Sequence, residues 1–200
     1  MFAPDLLKGR VALITGGAGG IGFEISKTYA RLGAQVVLAS RSQERLDGAV
    51  AEMAAEGLTA IAFRTDVRNY DEVEATIERT VEQLGSLDIL VNNAAGNFSC
   101  PTAELSPNGW RTVVDIDLNG TFYGCRAGYK HLKNSAYGGC IISIVTMLGL
   151  SGWPAAAHAA AAKAGIISLS RTLAVEWGGD NIRVNTISPG PIADTLGVQR

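Results

Sequence analysis

Short, mostly apolar runs alternate along the chain with longer amphipathic stretches. Residues 11–14, 35–39, 59–63, 87–91, 140–144 and 183–187 each have the length and composition of a strand buried on both faces. Between them the apolar positions recur with helical spacing. The clearest such stretch covers 69–84: Val73, Ile77, Val81 and Leu84 fall on one face, Asn69 with Glu72 three residues on can cap the first turn, and Gly85 ends the helix. Strand and helix in strict alternation require right-handed crossovers and a parallel sheet covered on both sides. The pattern therefore predicts a three-layer αβα, doubly wound α/β fold. With no linker, repeat or low-complexity tract beyond an alanine-rich helix start at 155–162, residues 1–200 read as one domain.

Composition narrows the classes of function. An apolar share of 47% supports a packed core and argues against disorder. The 17 basic and 19 acidic residues form no long run of one sign, which gives no support to nucleic acid or a membrane surface as partner. Cys100, Cys125 and Cys140 are odd in number and lack the spacing of a metal site. With no leader and no run of membrane-spanning length, the expectation is a reducing, cytoplasmic setting, with a peroxisomal one open. His131 and His158 share no ligand cluster, so no metal is expected.

The first chemical motif joins the first strand to the first helix. It reads Thr15-Gly16-Gly17-Ala18-Gly19-Gly20-Ile21-Gly22. Glycines there permit a tight turn and let N–H groups at the positive end of a helix approach a pyrophosphate. Glycines also serve ordinary turns, but the preceding strand and following amphipathic helix favour a dinucleotide, with Gly16, Gly19, Gly20, Ile21 and Gly22 as its contacts.

The spacing of this motif resembles that of the short-chain dehydrogenases/reductases, and other matches lie where that Rossmann-like family has them. Asp66-Val67 follow the third strand, Asn92-Asn93-Ala94-Ala95-Gly96 the fourth, and Ser188-Pro189-Gly190-Pro191-Ile192 the sixth, with Thr195 beyond. The resemblance implies cofactor contacts from Asp66, Val67, Asn93, Ala94, Ala95, Pro189, Gly190, Ile192 and Thr195. After the second strand, Ser40-Arg41-Ser42 stand where an NAD-preferring enzyme usually has an acid. A forked cation at Arg41 with hydroxyls beside it suits a 2′-phosphate, so NADPH is the expected cofactor; alternatively Arg41 is a solvated residue at a helix start.

Family members typically supply Asn, Ser, Tyr and Lys to catalysis. Here Asp117, Thr146 and Ala159 stand at the first three positions, and Lys163 alone fits the pattern. Asp117, His158-Ala159 and the run Asn92-Asn93-Ala94-Ala95-Gly96-Asn97-Phe98 are similar to the 2,4-dienoyl-CoA reductases, in particular the peroxisomal branch. The mitochondrial branch has a tyrosine where Leu148 stands here. The resemblance implies NADPH-dependent reduction of 2,4-dienoyl-CoA to an enoyl-CoA in the degradation of unsaturated fatty acids. It assigns Asn97 to the thioester oxygen, Lys163 to the nicotinamide ribose, and Asp117 to orienting Lys163 and a proton-donating water.

Alternatives stand beside each role. Asp117 could tie a helix terminus, Thr146 could bond substrate or local backbone, and Phe98 could line an acyl pocket or the core. His158 reads as a structural or rim residue rather than a replacement acid. The family resemblance further implies a homodimer or homotetramer through the alanine-rich helix. Family members continue past the Pro-Gly motif into a substrate-covering loop and a seventh strand, so the C-terminal strand and part of the acyl pocket are expected to be missing. Two rival readings remain: a carbonyl or alcohol oxidoreductase, and a noncatalytic NADPH-binding scaffold.

Overall fold

The computed structural model describes residues 2–190 and 192. Six parallel strands form one sheet in the order β3-β2-β1-β4-β5-β6: β1 (Val11–Thr15), β2 (Gln35–Ser40), β3 (Ala60–Arg64), β4 (Ile89–Asn92), β5 (Gly139–Ile144) and β6 (Ile182–Ile187). Successive side chains of a strand point to opposite faces, and two cores result. Leu13, Val37, Leu90 and Ile141 face a layer containing α3 (Tyr70–Leu84) and α5 (Gly120–Lys133). Ile14, Val36, Leu38 and Val91 face α1 (Gly20–Arg31) and α2 (Gln43–Ala55), through Phe23, Leu46 and Met53. Two-sided burial is why β1, β2, β4 and β5 carry so few polar residues; the edge strand β6, expected to be buried on both faces, instead alternates buried Ile182 and Val184 with exposed Arg183 and Asn185.

The predicted strands lie within two residues of the observed ones, and the largest offset has a physical cause. Asp88 lies just before β4, 1% exposed, and its Oδ2 accepts the Val11 N–H at 2.8 Å and the Ser86 hydroxyl at 2.8 Å. Its Oδ1 accepts from Ser135 at 2.5 Å. The carboxylate takes the Val11 N–H that a main-chain carbonyl would otherwise accept, while the Asp88 backbone still bonds to Val11 and Cys140, and regular β4 starts at Ile89. Helix α3 begins as expected, with Asn69 Oδ1 accepting from Asp71 and Glu72 N–H, and ends at Gly85 with φ +86°. The Glu72 carboxylate, however, accepts the Asp66 N–H at 3.0 Å instead of closing a reciprocal cap, so it fixes the loop after β3.

The strand order reverses between β1 and β4, where β2 continues one way and β5 the other. Loops leaving the C-terminal ends of these strands part there and leave a crevice. Past β4, α4 (Pro107–Val114), a π-helical turn (Asp115–Asn119) and α5 follow without interruption. A 3₁₀ turn (Met147–Gly149) after β5 leads to α6 (Ala157–Trp177). No helix among the described residues is long and apolar enough to cross a membrane.

Candidate active site

The crevice is a cleft of about 550 Å³ at the C-terminal ends of β1, β4, β5 and β6. Ile21, Asn93, Ala95, Asn97, Asp117, Thr146, Lys163, Pro189, Gly190 and Ile192 line it, so residues far apart in sequence meet there. Ala159, buried, contributes to the same wall, and Met147, Leu148 and Trp153 make much of the rest apolar. Of the glycines of the first motif, Gly16 directly follows β1, and Gly19, Gly20 and Gly22 lie at the start of α1. Ser40, Arg41, Asp66 and Val67 lie at the ends of β2 and β3. Thr195 lies outside the described residues.

The glycine turn is held open by hydrogen bonds that the motif alone did not reveal. Thr15 Oγ1 accepts the N–H groups of Asn93 at 3.0 Å and Ala94 at 3.1 Å. Asn93 Nδ2 donates in return to the carbonyls of Thr15 at 3.0 Å and Gly16 at 3.3 Å. Thr15 thus fastens the end of β4 to the end of β1; a buried threonine at the strand end was the available signal. A Cβ on Gly22 would come within 2.5 Å of the Gly16 carbonyl oxygen, so the tight entry of α1 excludes any larger residue. Gly19, by contrast, has open space around it, and no side chain caps α1. The first-turn N–H groups of α1 have no partner within the helix, which suits an anion at this end.

At the end of β2, Ser42 Oγ accepts the Arg45 N–H as the cap of α2 and keeps its O–H to donate, so Ser40, Arg41 and Ser42 are all available to a phosphate. Arg41 is exposed and makes no ion pair among the described residues. Asp66 is gripped by Arg68, whose guanidinium and N–H hold its carboxyl below the usual carboxylate range. Val67 is buried against Gly120, its β carbon 3.0 Å from where a Cβ there would stand.

Asp117 and Lys163 form the polar centre. They are 1% and 6% exposed, and Lys163 Nζ lies 3.1 Å from Asp117 Oδ2. The ammonium also donates to the Ile144 carbonyl at 3.1 Å, and Asp117 Oδ1 accepts the Gly96 N–H at 2.7 Å. Burial pushes the Asp117 pKa above the ordinary carboxylate value, while the Lys163 charge, the Gly96 N–H and the hydrogen bond from Lys163 pull it down. The carboxylate is aimed by the π turn, an irregularity that recurs at functional sites and left no trace in the residue pattern.

Thr146 lines the cleft with its Oγ1 buried and without a partner among the described residues. Asn97 is exposed on the same wall. Phe98, 38% exposed next to Asn97, is not among the residues that line the cleft, and its ring stands edge-on to His158 with centroids 4.5 Å apart. His158 is fully buried, so of its two expected places the rim is excluded. Among the described residues no group of three or more His, Cys, Asp or Glu could gather a metal ion.

Residues 10–199 match the family model described as short chain dehydrogenase. The chain belongs to that family. It is 45% identical over 207 residues to a peroxisomal 2,4-dienoyl-CoA reductase [(3E)-enoyl-CoA-producing] of Arabidopsis thaliana, covering 100% of this chain and 70% of that protein. The protein of the same name from Rattus norvegicus is 44% identical over 201 residues, covering 100% of this chain and 68% of its own. Among solved structures, a short chain dehydrogenase from Bacillus anthracis superimposes with a TM-score of 0.90 at 44% identity, over 94% of this chain and 76% of that one.

Proposed function

We propose that this short-chain dehydrogenase is an NADPH-dependent reductase of 2,4-dienoyl-CoA thioesters, forming an enoyl-CoA. The observation that carries the reading is a buried Asp117–Lys163 pair in an apolar cleft with Ala159 where a proton-donating phenol would stand. The names of the relatives point the same way.

The residues fit a phosphorylated nicotinamide dinucleotide. The uncapped start of α1 beside the open space at Gly19 suits a pyrophosphate, and Ser40 with Arg41 suits a 2′-phosphate. Lys163, on the cleft wall, suits the nicotinamide ribose. When bound, NADPH supplies a hydride to the distal alkene carbon of the conjugated acyl group.

The chain's own task is to receive the charge that this creates. Electrons move through the conjugated carbons to the thioester oxygen, where the Asn97 amide donates a hydrogen bond and stabilises the dienolate. The lasting proton goes to carbon. A water oriented by Asp117 delivers it, and the positive charge of Lys163 favours the transfer. A ketone reductase must protonate an alkoxide at the carbonyl oxygen, a role for which Ala159 has no proton. The apolar wall of Met147, Leu148 and Trp153 suits the hydrocarbon tail.

We place subunit association on the outward stripe of α6, where Ala161, Ala164, Ser168 and Val175 are all exposed. The enzymatic reading is tested by NADPH absorbance with a dienoyl-CoA, a monoenoyl-CoA and a panel of ketones. Oxidation of NADPH with the dienoyl-CoA alone is expected. Turnover of ketones would support a carbonyl reductase instead, and tight NADPH binding without any turnover a scaffold.

A further inference from the structure

The segment carrying Asn97 is clamped on both sides. The Gly96 N–H donates to Asp117 at 2.7 Å, and the Cys100 N–H donates to the Ala155 carbonyl at 2.9 Å. Ala155 itself sits at φ +56°, a conformation rare for alanine, which the contact with Cys100 helps hold. Between these clamps stands Phe98, next to Asn97, with its ring edge-on to His158 at an interplanar angle of 70°.

His158 is an expensive residue to keep at this place. It lies in the first turn of α6, fully buried, and its Nδ1 accepts the Ala159 N–H at 2.7 Å. That bond leaves the ring proton on Nε2, which has no partner among the described residues. A buried N–H without a partner weighs against folding, and an apolar side chain would avoid it. The ring has two tasks that such a side chain would not combine: accepting the Ala159 N–H in the first turn of α6 and bearing on Phe98.

We propose that His158 is a positioning residue for the reaction: through Phe98 it sets the loop that presents the Asn97 amide to the thioester. The inference rests on the assignment of Asn97 as donor to the thioester oxygen. His158 thereby links the helix that carries Lys163 to the loop that carries Asn97, so that both are held in one frame.

A double-mutant cycle with NADPH and one dienoyl-CoA tests it. His158→Ala should lower kcat roughly 10- to 100-fold, the scale of a small misplacement of a reacting group. In an Asn97→Ala background the same substitution should cost less than about threefold, because interactions running through one residue are not additive. NADPH affinity should be unchanged. Phe98→Leu, at a 38% exposed position, should repeat the pattern and carries the test if His158→Ala does not fold. An equal loss in both backgrounds, or wild-type kcat in both His158→Ala and Phe98→Leu, would overturn the role of His158. Wild-type kcat in Asn97→Ala would instead overturn the assignment of Asn97.

Discussion

An ammonium and a carboxylate that are each costly to bury alone are held together in the cleft, and the energetics of single residues follow from that pairing. Burial gives Asp117 a folded pKa above its unfolded one, so its ionisation weighs against the folded state above that pKa, and this cost is relieved as pH falls through it. Activity should move the other way. The kcat should fall as pH drops through the raised Asp117 pKa, a limb displaced upward from that of an ordinary carboxylate; the residual activity of Asp117→Asn should lack it. A pH profile of both proteins checks this. At the other end of the site, Arg41→Ala should weaken NADPH binding by roughly one to two orders of magnitude, the worth of a charge-assisted contact, and leave NADH binding unchanged. Calorimetry with both dinucleotides reads the difference directly.

At the scale of elements, the site depends on how closely the turn after β5 rests on α6. A Cβ on Gly149 would stand 2.9 Å from the Ala164 nitrogen and the Lys163 carbonyl carbon, both backbone atoms that cannot rotate away. Gly149→Ala should therefore displace α6 at Lys163, destabilise by about 1–3 kcal/mol, and raise KM for NADPH. Denaturant unfolding and steady-state kinetics on the same variant check the two effects. This contact was not legible in the sequence, since a glycine in a loop offers no hint of what faces it. The central strands were legible because burial on both faces demands apolar runs, and α3 because its cap, stripe and terminal glycine agree. Asp117 and Lys163 were found through their place in a family pattern. The π turn that aims Asp117 was hidden because it changes hydrogen bonding and not residue type. Phe98 gave only an apolar aromatic in a loop, a signal equally suited to an acyl pocket and to the ring of His158.

For the whole molecule, the reversal of strand order between β1 and β4 gathers the site from across the chain: Thr15 from one end, Asn93 from the middle, Lys163 and Gly190 from the far side. The outward face of α6 bears small residues and an 85% exposed Val175, a face suited to close packing against a second copy. Ala161→Glu should shift a wild-type oligomer to monomer in sedimentation velocity, because an unpaired charge would be buried at the contact. A monomeric wild type at cofactor-saturating concentrations would contradict the assembly.

In a tyrosine-less centre where Asp117 directs protonation and Lys163 beside it serves the cofactor, removing the carboxylate should cost turnover before it costs cofactor binding. The most direct test is the kcat for dienoyl-CoA reduction by saturating NADPH, compared between wild type and Asp117→Ala. A loss of about 10²–10⁴-fold, the range for a positioned proton donor, is expected, with NADPH affinity preserved. Wild-type kcat in Asp117→Ala would show that the carboxylate does not serve the chemistry.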